Sequence, residues 1–490
     1  MTPEEFRAAG HVLIDWIADH RTRIADLPVQ AQVRPGEVAA ALPSTPPAGT
    51  EDITALIADL ERVIVPGLTQ VQHPRHVGWF PSNAALASVL GDLASSGLGG
   101  LGISWQSAPA LTELEQVVCD WMRQLTGLSP SWQGAIHDTA STACLVALLA
   151  ARERAGGYSV EHGGLQSLPQ PLVVYASEQA HSSVPKAVLL AGFGRDNLRL
   201  IQTDPQTHAM LPDALAAAMA ADVAAGRRPA AVVVSIGTTA TTAVDPLATL
   251  LPIAGQHGAW VHVDAAMAGS ALLLPEYRWL IDGIDGDGAG SPAADSLSWN
   301  PHKWMGTVLD CSLLYVRDPE LLIRVMSTAP SYLRSTADAV VEYRDWGIPL
   351  GRRFRALKLW FHLRLDGVPA IQARLRRDLL NARRLADAVA AEPGWRVLAP
   401  VQLQTVCLRH EPPGLVAADG AVLDGEALDR HTLAWADALN ASGAGFVSPA
   451  VLDGRWMVRI SIGVESTEWD DVEAVWTAAR AEAARASAVL

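Results

Sequence analysis

One lysine and one aspartate lie where they could do chemistry together. Asp264 follows the apolar run Val261-His262-Val263, which is typical of a buried strand, and Lys303 comes 39 residues later, after a further predicted strand. A carboxylate at the end of a buried strand is costly without a positive partner, although a helix cap explains Asp264 equally well on its own. Together, an amine and a carboxylate are what pyridoxal phosphate requires. The amine condenses with the aldehyde of the cofactor, and the carboxylate keeps its ring nitrogen protonated.

Lysine is rare in this chain. Of the 37 basic residues only three are lysines, namely Lys186, Lys303 and Lys358. A lysine that is retained where arginine is used almost everywhere is a candidate for amine chemistry, which a permanently protonated guanidinium cannot perform. Lys303 has the most suggestive neighbours of the three, because it lies within Asn300-Pro301-His302-Lys303-Trp304.

A phosphate group needs hydrogen-bond donors, and the segment 137–142 could supply them. It precedes the helical run Ala143 to Arg154, so the hydroxyls of Thr139 and Ser141 and the free N–H groups of the helix start could hold a dianion. An N-cap that binds no ligand explains the same residues.

Three apolar strands are each followed by polar residues. The strand at 172–175 leads to His181, the strand at 232–234 leads to Thr238 and Thr239, and the strand at 261–263 leads to Asp264. In an open α/β sheet, ligands bind at the carboxyl ends of the strands. The sequence therefore predicts a site at one edge of a sheet.

The elements that must position these residues alternate along the chain. From about residue 83 to 357, β-rich runs at 172–175, 231–236, 260–263, 296–299 and 311–316 alternate with helical stretches rich in alanine and leucine. This alternation predicts an α/β fold with a mainly parallel sheet between helices. Two amphipathic helices, at 4–20 and about 53–65, precede it. We expect an N-terminal helical appendage (1–82), a large α/β domain (83–357) and a small α+β domain (358–490).

Composition excludes several classes of protein. The net charge of −15 makes nucleic acid an unlikely partner. No apolar run is long enough to cross a bilayer, and the four cysteines are widely spaced, so we expect a cytoplasmic protein without disulfide or metal site. Gly97, Gly99 and Gly102 spell G-x-G-x-x-G, but no strand precedes them and no helix follows directly, which argues against a nicotinamide site.

Six segments spread over almost the whole chain are jointly specific. They are 109–115, 145–152, 179–183, 261–266, 300–304 and 348–354. These segments resemble the group II pyridoxal-phosphate decarboxylases, and within them the aromatic-L-amino-acid (DOPA/tryptophan) decarboxylases. The resemblance implies fold type I (aspartate aminotransferase-like) and an obligate homodimer with the active site at the subunit interface. It adds dimerisation as the role of the N-terminal appendage (1–82) and cofactor binding as that of the large α/β domain (83–357). It also implies conversion of tryptophan, phenylalanine, tyrosine or DOPA to the arylalkylamine and carbon dioxide.

The resemblance implies a role for each residue of the site. Lys303 would hold the cofactor, Asp264 would pair with its ring nitrogen and His181 would stack on its ring. Tyr332 corresponds to a mobile-loop tyrosine that delivers a proton after carbon dioxide leaves, with His302 as the alternative acid. Further cofactor positions are Thr139, Ala140, Ser141, Thr239, Ala266, Asn300 and His302. The substrate positions are Trp79, Phe80, Pro81, Ser82, Ile103, Leu309 and Gly351.

The chain departs from the family pattern at several positions. His137 and Asp138 stand where the family often has glutamine and glycine. Ile103 and Leu309 are frequently aromatic in animal members, which leaves Trp79 and Phe80 as the evident aromatic wall. Gly351 has two explanations: it could allow a turn with positive φ, or it could leave room for a bicyclic ring.

Three rival functions remain. An aldehyde synthase of the same fold would decarboxylate and then oxidatively deaminate, but such members usually replace the loop tyrosine or the stacking histidine. An aminotransferase would grip the substrate carboxylate with a C-terminal arginine, and Arg459 is available, although a structural role suits a strand arginine better. A catalytically inactive binding protein would not need Lys303 and Asp264.

Overall fold

A computed structural model of the chain describes residues 1–286, 292–328, 340–417 and 420–488. The chain forms two compact units. The terminal unit comprises Met1–Pro81, Leu380–Leu398 and Val406–Leu490, and the central unit comprises Ser82–Leu379 and Ala399–Thr405. The division at residues 82 and 357 stays a prediction. No helix among the described residues combines the length and the apolar character that crossing a bilayer requires.

The central unit is built on a seven-stranded sheet with the strand order β1-β7-β6-β5-β4-β2-β3. The pairs from β3 to β6 are parallel, and β7 runs antiparallel to both β6 and β1. The predicted α/β fold with a mainly parallel sheet is therefore confirmed. The strands are β1 (Gln133–His137), β2 (Leu172–Ser177), β3 (Leu198–Ile201), β4 (Arg228–Ser235), β5 (Trp260–Asp264), β6 (Ser296–Trp299) and β7 (Ser312–Val316).

Sequence patterns identify five of these strands and miss β1 and β3. In β1 the only β-branched residue is Ile136, and the strand begins with glutamine and glycine, so its propensity is weak. Only Ile201 of β3 is buried, because this strand lies at the edge of the sheet. Both strands depend on their neighbours in the sheet more than on local pattern.

The helix α6 (Ala140–Gly156) packs against the centre of the sheet. Its alanines Ala143, Ala147, Ala150 and Ala151 are almost completely buried, and their small size lets the helix approach the strands closely. All six residues of β2 and seven of the eight in β4 are buried, as expected for strands covered on both faces. The packing fixes the position of the first turn of α6 relative to the strand ends.

The other helices of the central unit lie before, between and after the strands. They are α4 (Leu86–Leu98), α5 (Pro109–Thr126), α7 (Ser183–Leu190), α8 (Pro212–Ala224), α9 (Leu247–Gln256), α10 (Pro319–Met326), α11 (Ala356–Leu365) and the first part of α12 (Val368–Ala391).

The terminal unit contains both ends of the chain. The predicted first helix is confirmed as α1 (Pro3–Arg23), which begins with a capping box between Thr2 and Glu5. The predicted second helix is α3 (Ile53–Asp59), followed by turns of π and 3-10 type up to Gly67. A four-stranded sheet has the order β10-β11-β9-β8. The remaining elements are α2 (Glu37–Ala41), β8 (Trp395–Val397), β9 (Thr405–His410), α13 (Gly425–Ser442), β10 (Ser448–Leu452), β11 (Arg455–Ser461) and α14 (Trp469–Ser487).

Candidate active site

Three parallel strands of the central sheet end side by side. Ser235, the last residue of β4, lies opposite Asp264, the last residue of β5, and Asp264 lies opposite Ser298 of β6. Thr239 follows in the turn after β4 and is half-buried. The register of the strands thus places Asp264 at the centre of the carboxyl edge, between the turns that follow β4 and β6.

Lys303 lies in a short turn, Pro301–Met305, that follows β6. Its φ of −93° and ψ of −115° interrupt the helical geometry of this turn. The Lys303 N–H donates to the Asn300 carbonyl (3.0 Å), and the Asn83 side-chain amide donates to the Lys303 carbonyl (3.3 Å). Asn300 N–H donates in turn to the carbonyl of Ala266 (3.0 Å). The loops after β5 and β6 are therefore joined directly, with the lysine at their junction.

Helix α12 holds the same turn from its other side. The guanidinium of Arg374 donates to the carbonyls of Trp304 (2.7 Å) and Met305 (2.6 Å). The Trp304 indole N–H donates to the buried carboxylate of Asp378 (2.9 Å), whose pKa is raised to about 6 by burial. Each of these contacts restrains the backbone on which Lys303 is mounted.

His181, Asp264 and Lys303 interact electrostatically. Partial burial lowers the pKa of His181, the positive charge of Lys303 lowers it further, and the carboxylate of Asp264 opposes both. The Nδ1 atom of His181 accepts the Ser183 N–H (3.1 Å), which orients the ring and assigns the proton of the neutral imidazole to Nε2. The ring remains exposed. A neutral imidazole with an open face is suited to stacking on a planar ligand.

Asp264 is buried, with 8% of its surface exposed. Its Oδ1 atom accepts the N–H of Ala266 (3.0 Å), and its carbonyl accepts the Ile236 N–H (2.8 Å). A buried carboxylate is stable only with donors or a positive charge nearby. A protonated pyridine nitrogen fits this requirement.

The start of α6 and the turn before Lys303 offer donors for a phosphate. Thr139 is the N-cap of α6, and in the described chain the N–H groups of Ala140 and Ser141 have no hydrogen-bond partner. Asn300 is buried beside Lys303, and its Oδ1 atom, which can only accept a hydrogen bond, has no partner within that part of the chain. Burial lowers the pKa of His302 to about 4, and its Nδ1 accepts the Cys311 N–H (2.9 Å), so that Nε2 carries the proton. These groups fit pyridoxal phosphate in chemistry and charge.

A buried ion pair connects two of the expected substrate positions. Arg352 donates to Glu115 (2.7 Å) and to the carbonyls of Ile136 (2.9 Å) and Gly102 (3.2 Å). Gly102 precedes Ile103, and Arg352 follows Gly351, so the structure brings Ile103 and Gly351 into one region. Glu115 also accepts the Ile136 N–H (2.9 Å), which ties the same region to β1.

The positive-φ explanation for Gly351 is wrong. Gly351 is not among the glycines with positive φ, and a Cβ atom built on it would meet no heavy atom within 4 Å. Neither backbone strain nor crowding within the described chain therefore requires glycine at this position. Room for a ligand or for a second chain is the remaining explanation.

The other substrate positions are divided between the two units. Ser82 and Leu309 belong to the central unit, and Leu309 is 54% exposed. Trp79, Phe80 and Pro81 belong to the terminal unit, where the Trp79 ring packs on Phe446 at 5.0 Å. The guanidinium of Arg459 lies 4.6 Å from the centre of the Phe80 ring, which agrees with a structural role for that arginine. Tyr332 lies outside the described residues.

Comparison with known proteins decides the family. Residues 35–411 match the family model "Pyridoxal-dependent decarboxylase conserved domain". The chain belongs to the pyridoxal-dependent decarboxylase family. It is 39% identical to phenylacetaldehyde synthase of Arabidopsis thaliana (99% of this chain, 96% of the relative). It is 38% identical to tryptophan decarboxylase 2 of Oryza sativa subsp. japonica, again over 99% of this chain and 96% of the relative.

A solved structure of Oryza sativa TDC with PLP and tryptamine superimposes with a TM-score of 0.93 at 34% identity, covering 99% of both chains. The family resemblance, fold type I and pyridoxal phosphate as cofactor are thus confirmed. In this decarboxylase, the arrangement around Lys303 and Asp264 is the part of the described chain that suits the cofactor.

Several residues of this decarboxylase that support the site have no sequence signal of their own. Asn83, Arg374 and Asp378 hold the lysine turn, but they lie 220, 71 and 75 positions away from Lys303 in the chain. Glu115 and Arg352 lie within segments that resemble the family. The sequence does not show, however, that the two side chains form a buried ion pair.

We predict that Asp264→Ala reduces kcat/KM at least roughly a hundredfold, which corresponds to about 3 kcal/mol of transition-state stabilisation. The reason is that a ring nitrogen without a carboxylate partner loses its proton and becomes a poor electron acceptor. Steady-state kinetics measure the loss, on holoenzyme that has first been checked for correct folding. Asp245→Asn is the matched control, because Asp245 is also buried beside β4 but accepts only backbone N–H groups of Met210 and Ser235. Equal losses in both variants would remove Asp264 from the site.

We also predict that Glu115→Gln lowers the free energy of unfolding by about 3 kcal/mol, because it leaves the Arg352 charge buried without its partner. The double variant Glu115→Gln, Arg352→Met should recover part of that loss. Denaturant unfolding of the single and double variants measures both quantities. Additive losses in the double variant would show that the two side chains are not coupled.

Proposed function

We propose that this chain is a pyridoxal-phosphate-dependent aromatic-L-amino-acid decarboxylase, which converts tryptophan, phenylalanine, tyrosine or DOPA to the arylalkylamine and carbon dioxide. The observation that carries the proposal is the mutual interaction of His181, Asp264 and Lys303 at the carboxyl edge of the sheet. Relatives named as tryptophan and tyrosine decarboxylases, at 38% and 39% identity, support the aromatic substrate class.

Each residue of the proposed site is assigned a role toward the cofactor. When bound, pyridoxal phosphate supplies an electron sink for the bond that loses carbon dioxide. Lys303 would hold the cofactor through its amine, and Asp264 would keep a proton on the cofactor's ring nitrogen. His181, Ala266 and Thr239 would contact the ring. Thr139, Ala140, Ser141, Asn300 and His302 bind the phosphate.

The proposed substrate residues are aromatic in one unit and mainly aliphatic or small in the other. They are Trp79, Phe80 and Pro81 in the terminal unit, and Ser82, Ile103, Leu309 and Gly351 in the central unit. A pocket without a side chain at Gly351 admits a bicyclic ring. We therefore place tryptophan among the substrates.

We propose that the active enzyme is a homodimer in the cytoplasm. The helix α1 is 21 residues long and has no buried residue in the described chain, although its sequence is amphipathic. Leucines 86, 90 and 93 of α4 are also exposed and lie on one face at helical spacing. Exposed apolar stripes of this kind are typical of surfaces that a second subunit covers. All four cysteines are buried and unpaired, as expected in a reducing compartment.

An aldehyde synthase remains the second candidate, because the Arabidopsis phenylacetaldehyde synthase is as similar as the decarboxylases. His181 and Tyr332 are both present, and the resemblance assigns amine formation to chains that retain both. Incubation of the holoenzyme with each aromatic amino acid and with histidine, followed by assay of amine, aldehyde, ammonia and peroxide, separates the two functions. Amine with little peroxide supports the decarboxylase. Aldehyde with stoichiometric ammonia and peroxide would make the enzyme a synthase.

We predict that Tyr332→Phe converts the product from amine to aldehyde and ammonia, with hydrogen peroxide formed from the oxygen that is consumed. The variant keeps the cofactor and releases carbon dioxide, but it lacks the acid that protonates the α-carbon, so that oxygen reacts there instead. Product analysis under air measures the change. Amine formation at the normal rate in this variant would assign the proton to another acid, with His302 as the first candidate.

We predict that Gly351→Ser lowers tryptophan turnover roughly 10- to 100-fold and changes tyrosine turnover much less. The added hydroxymethyl group occupies the space of the second ring, and overpacking of this kind costs on the order of 1 to 3 kcal/mol. Competition between the two substrates measures the ratio directly. Equal losses for both would point to a change in the backbone, and a wild type inactive on tryptophan would remove the indole from the substrate list.

A further inference from the structure

The side chain of Asp138 accepts one of the N–H groups at the start of α6 that could otherwise bind an anion. Its Oδ1 atom accepts the Thr139 N–H at 2.7 Å. The Thr139 hydroxyl accepts the Thr142 N–H at 3.4 Å. Two N–H groups at this helix terminus are therefore committed within the chain, and those of Ala140 and Ser141 are left for a ligand.

No salt bridge joins Asp138 to any basic side chain that the structure describes. Two arginines, Arg352 and Arg355, line the same small cavity as Asp138. Each of them is already paired with another carboxylate, Arg352 with Glu115 and Arg355 with Asp310 (2.9 Å). The adjacent His137 is buried, and its pKa is lowered to about 3, so its imidazole is neutral at physiological pH. What stabilises the carboxylate is the positive end of the α6 dipole.

Asp138 is half-buried beside the start of α6. Asp138 lines a small cavity of about 60 Å³ together with His137, Thr142, Gly351 and Arg352. A phosphate dianion on the Ala140 and Ser141 N–H groups would lie within a few residues of this fixed charge, at the same helix terminus. Two like charges so placed repel each other in a partly buried region, where the effective dielectric constant is low.

We propose that Asp138 weakens the binding of pyridoxal phosphate by competing for the positive end of α6, and that it stabilises this helix start when the cofactor is absent. The inference rests on the proposed phosphate role of Thr139, Ala140 and Ser141. With the charge of Asp138 present, the site releases the cofactor more readily than it would without that charge. Asp138 is thus a residue that sets cofactor affinity through charge and does not take part in the reaction.

The test compares cofactor affinity in the full-length chain after removal of the cofactor. Asp138→Asn keeps the side-chain shape and the acceptor for the Thr139 N–H but removes the charge. We expect the Kd for pyridoxal phosphate, measured by absorbance titration, to fall about tenfold. The Kd for pyridoxal, which lacks the phosphate, should change less than twofold. Asp424→Asn is the matched control, since Asp424 caps α13 by accepting the Ala427 N–H (2.9 Å), and it should change neither value.

Unchanged or weaker binding of pyridoxal phosphate by Asp138→Asn would overturn the proposal, as would equal tightening for pyridoxal. Asp138→Gly, which removes the carboxylate entirely, should also bind pyridoxal phosphate more tightly and serves if the asparagine variant folds poorly. Because affinity is read by titration and not by turnover, the comparison decides the role of Asp138 even if the enzyme proved inactive on every aromatic amino acid.

Discussion

The backbone around Lys303 leaves helical geometry at one residue, so the carbonyls of residues 303 to 305 lose the partners that a continuing helix would provide. Buried carbonyls without donors are costly, and two side chains from distant parts of the chain meet this need. Asn83 donates to residue 303, and Arg374 donates to residues 304 and 305. These hydrogen bonds hold the backbone that carries the Lys303 side chain in its non-helical conformation. Its position relative to the sheet edge follows from these few hydrogen bonds.

The charges of the site depend on that position. Burial, assisted by the charge of Lys303, lowers the pKa of His181, and a buried carboxylate at Asp264 needs a positive group to face it. The chemistry of pyridoxal phosphate requires both conditions at once: a stacking ring without charge and a proton held on the ring nitrogen. The alternation of strands and helices brings the three residues to one edge, and the side-chain contacts of the lysine turn determine their separation.

Asp264 and Lys303, to which we assign the chemistry, could be singled out in the sequence because each has a signal of its own. Asp264 ends an apolar strand, and Lys303 is one of three lysines. Strand β3 and strand β1 gave no such signal, because one is a half-exposed edge and the other has little β propensity. Arg374 and Asp378 could not be identified either. They lie in a helix with four other arginines and one other aspartate, and only the tertiary contact with Trp304 distinguishes them. The positive-φ explanation for Gly351 is wrong for a related reason, since the φ angle of a glycine is not encoded in its residue type.

The most direct test of the account is to reduce the holoenzyme with borohydride and to map the modified residue by peptide mass spectrometry. Reduction fixes the cofactor covalently to the amine that holds it. The account predicts a phosphopyridoxyl group on Lys303 alone, with Lys186 and Lys358 unmodified. A phosphopyridoxyl group on Lys186 or Lys358, with Lys303 unmodified, would contradict it.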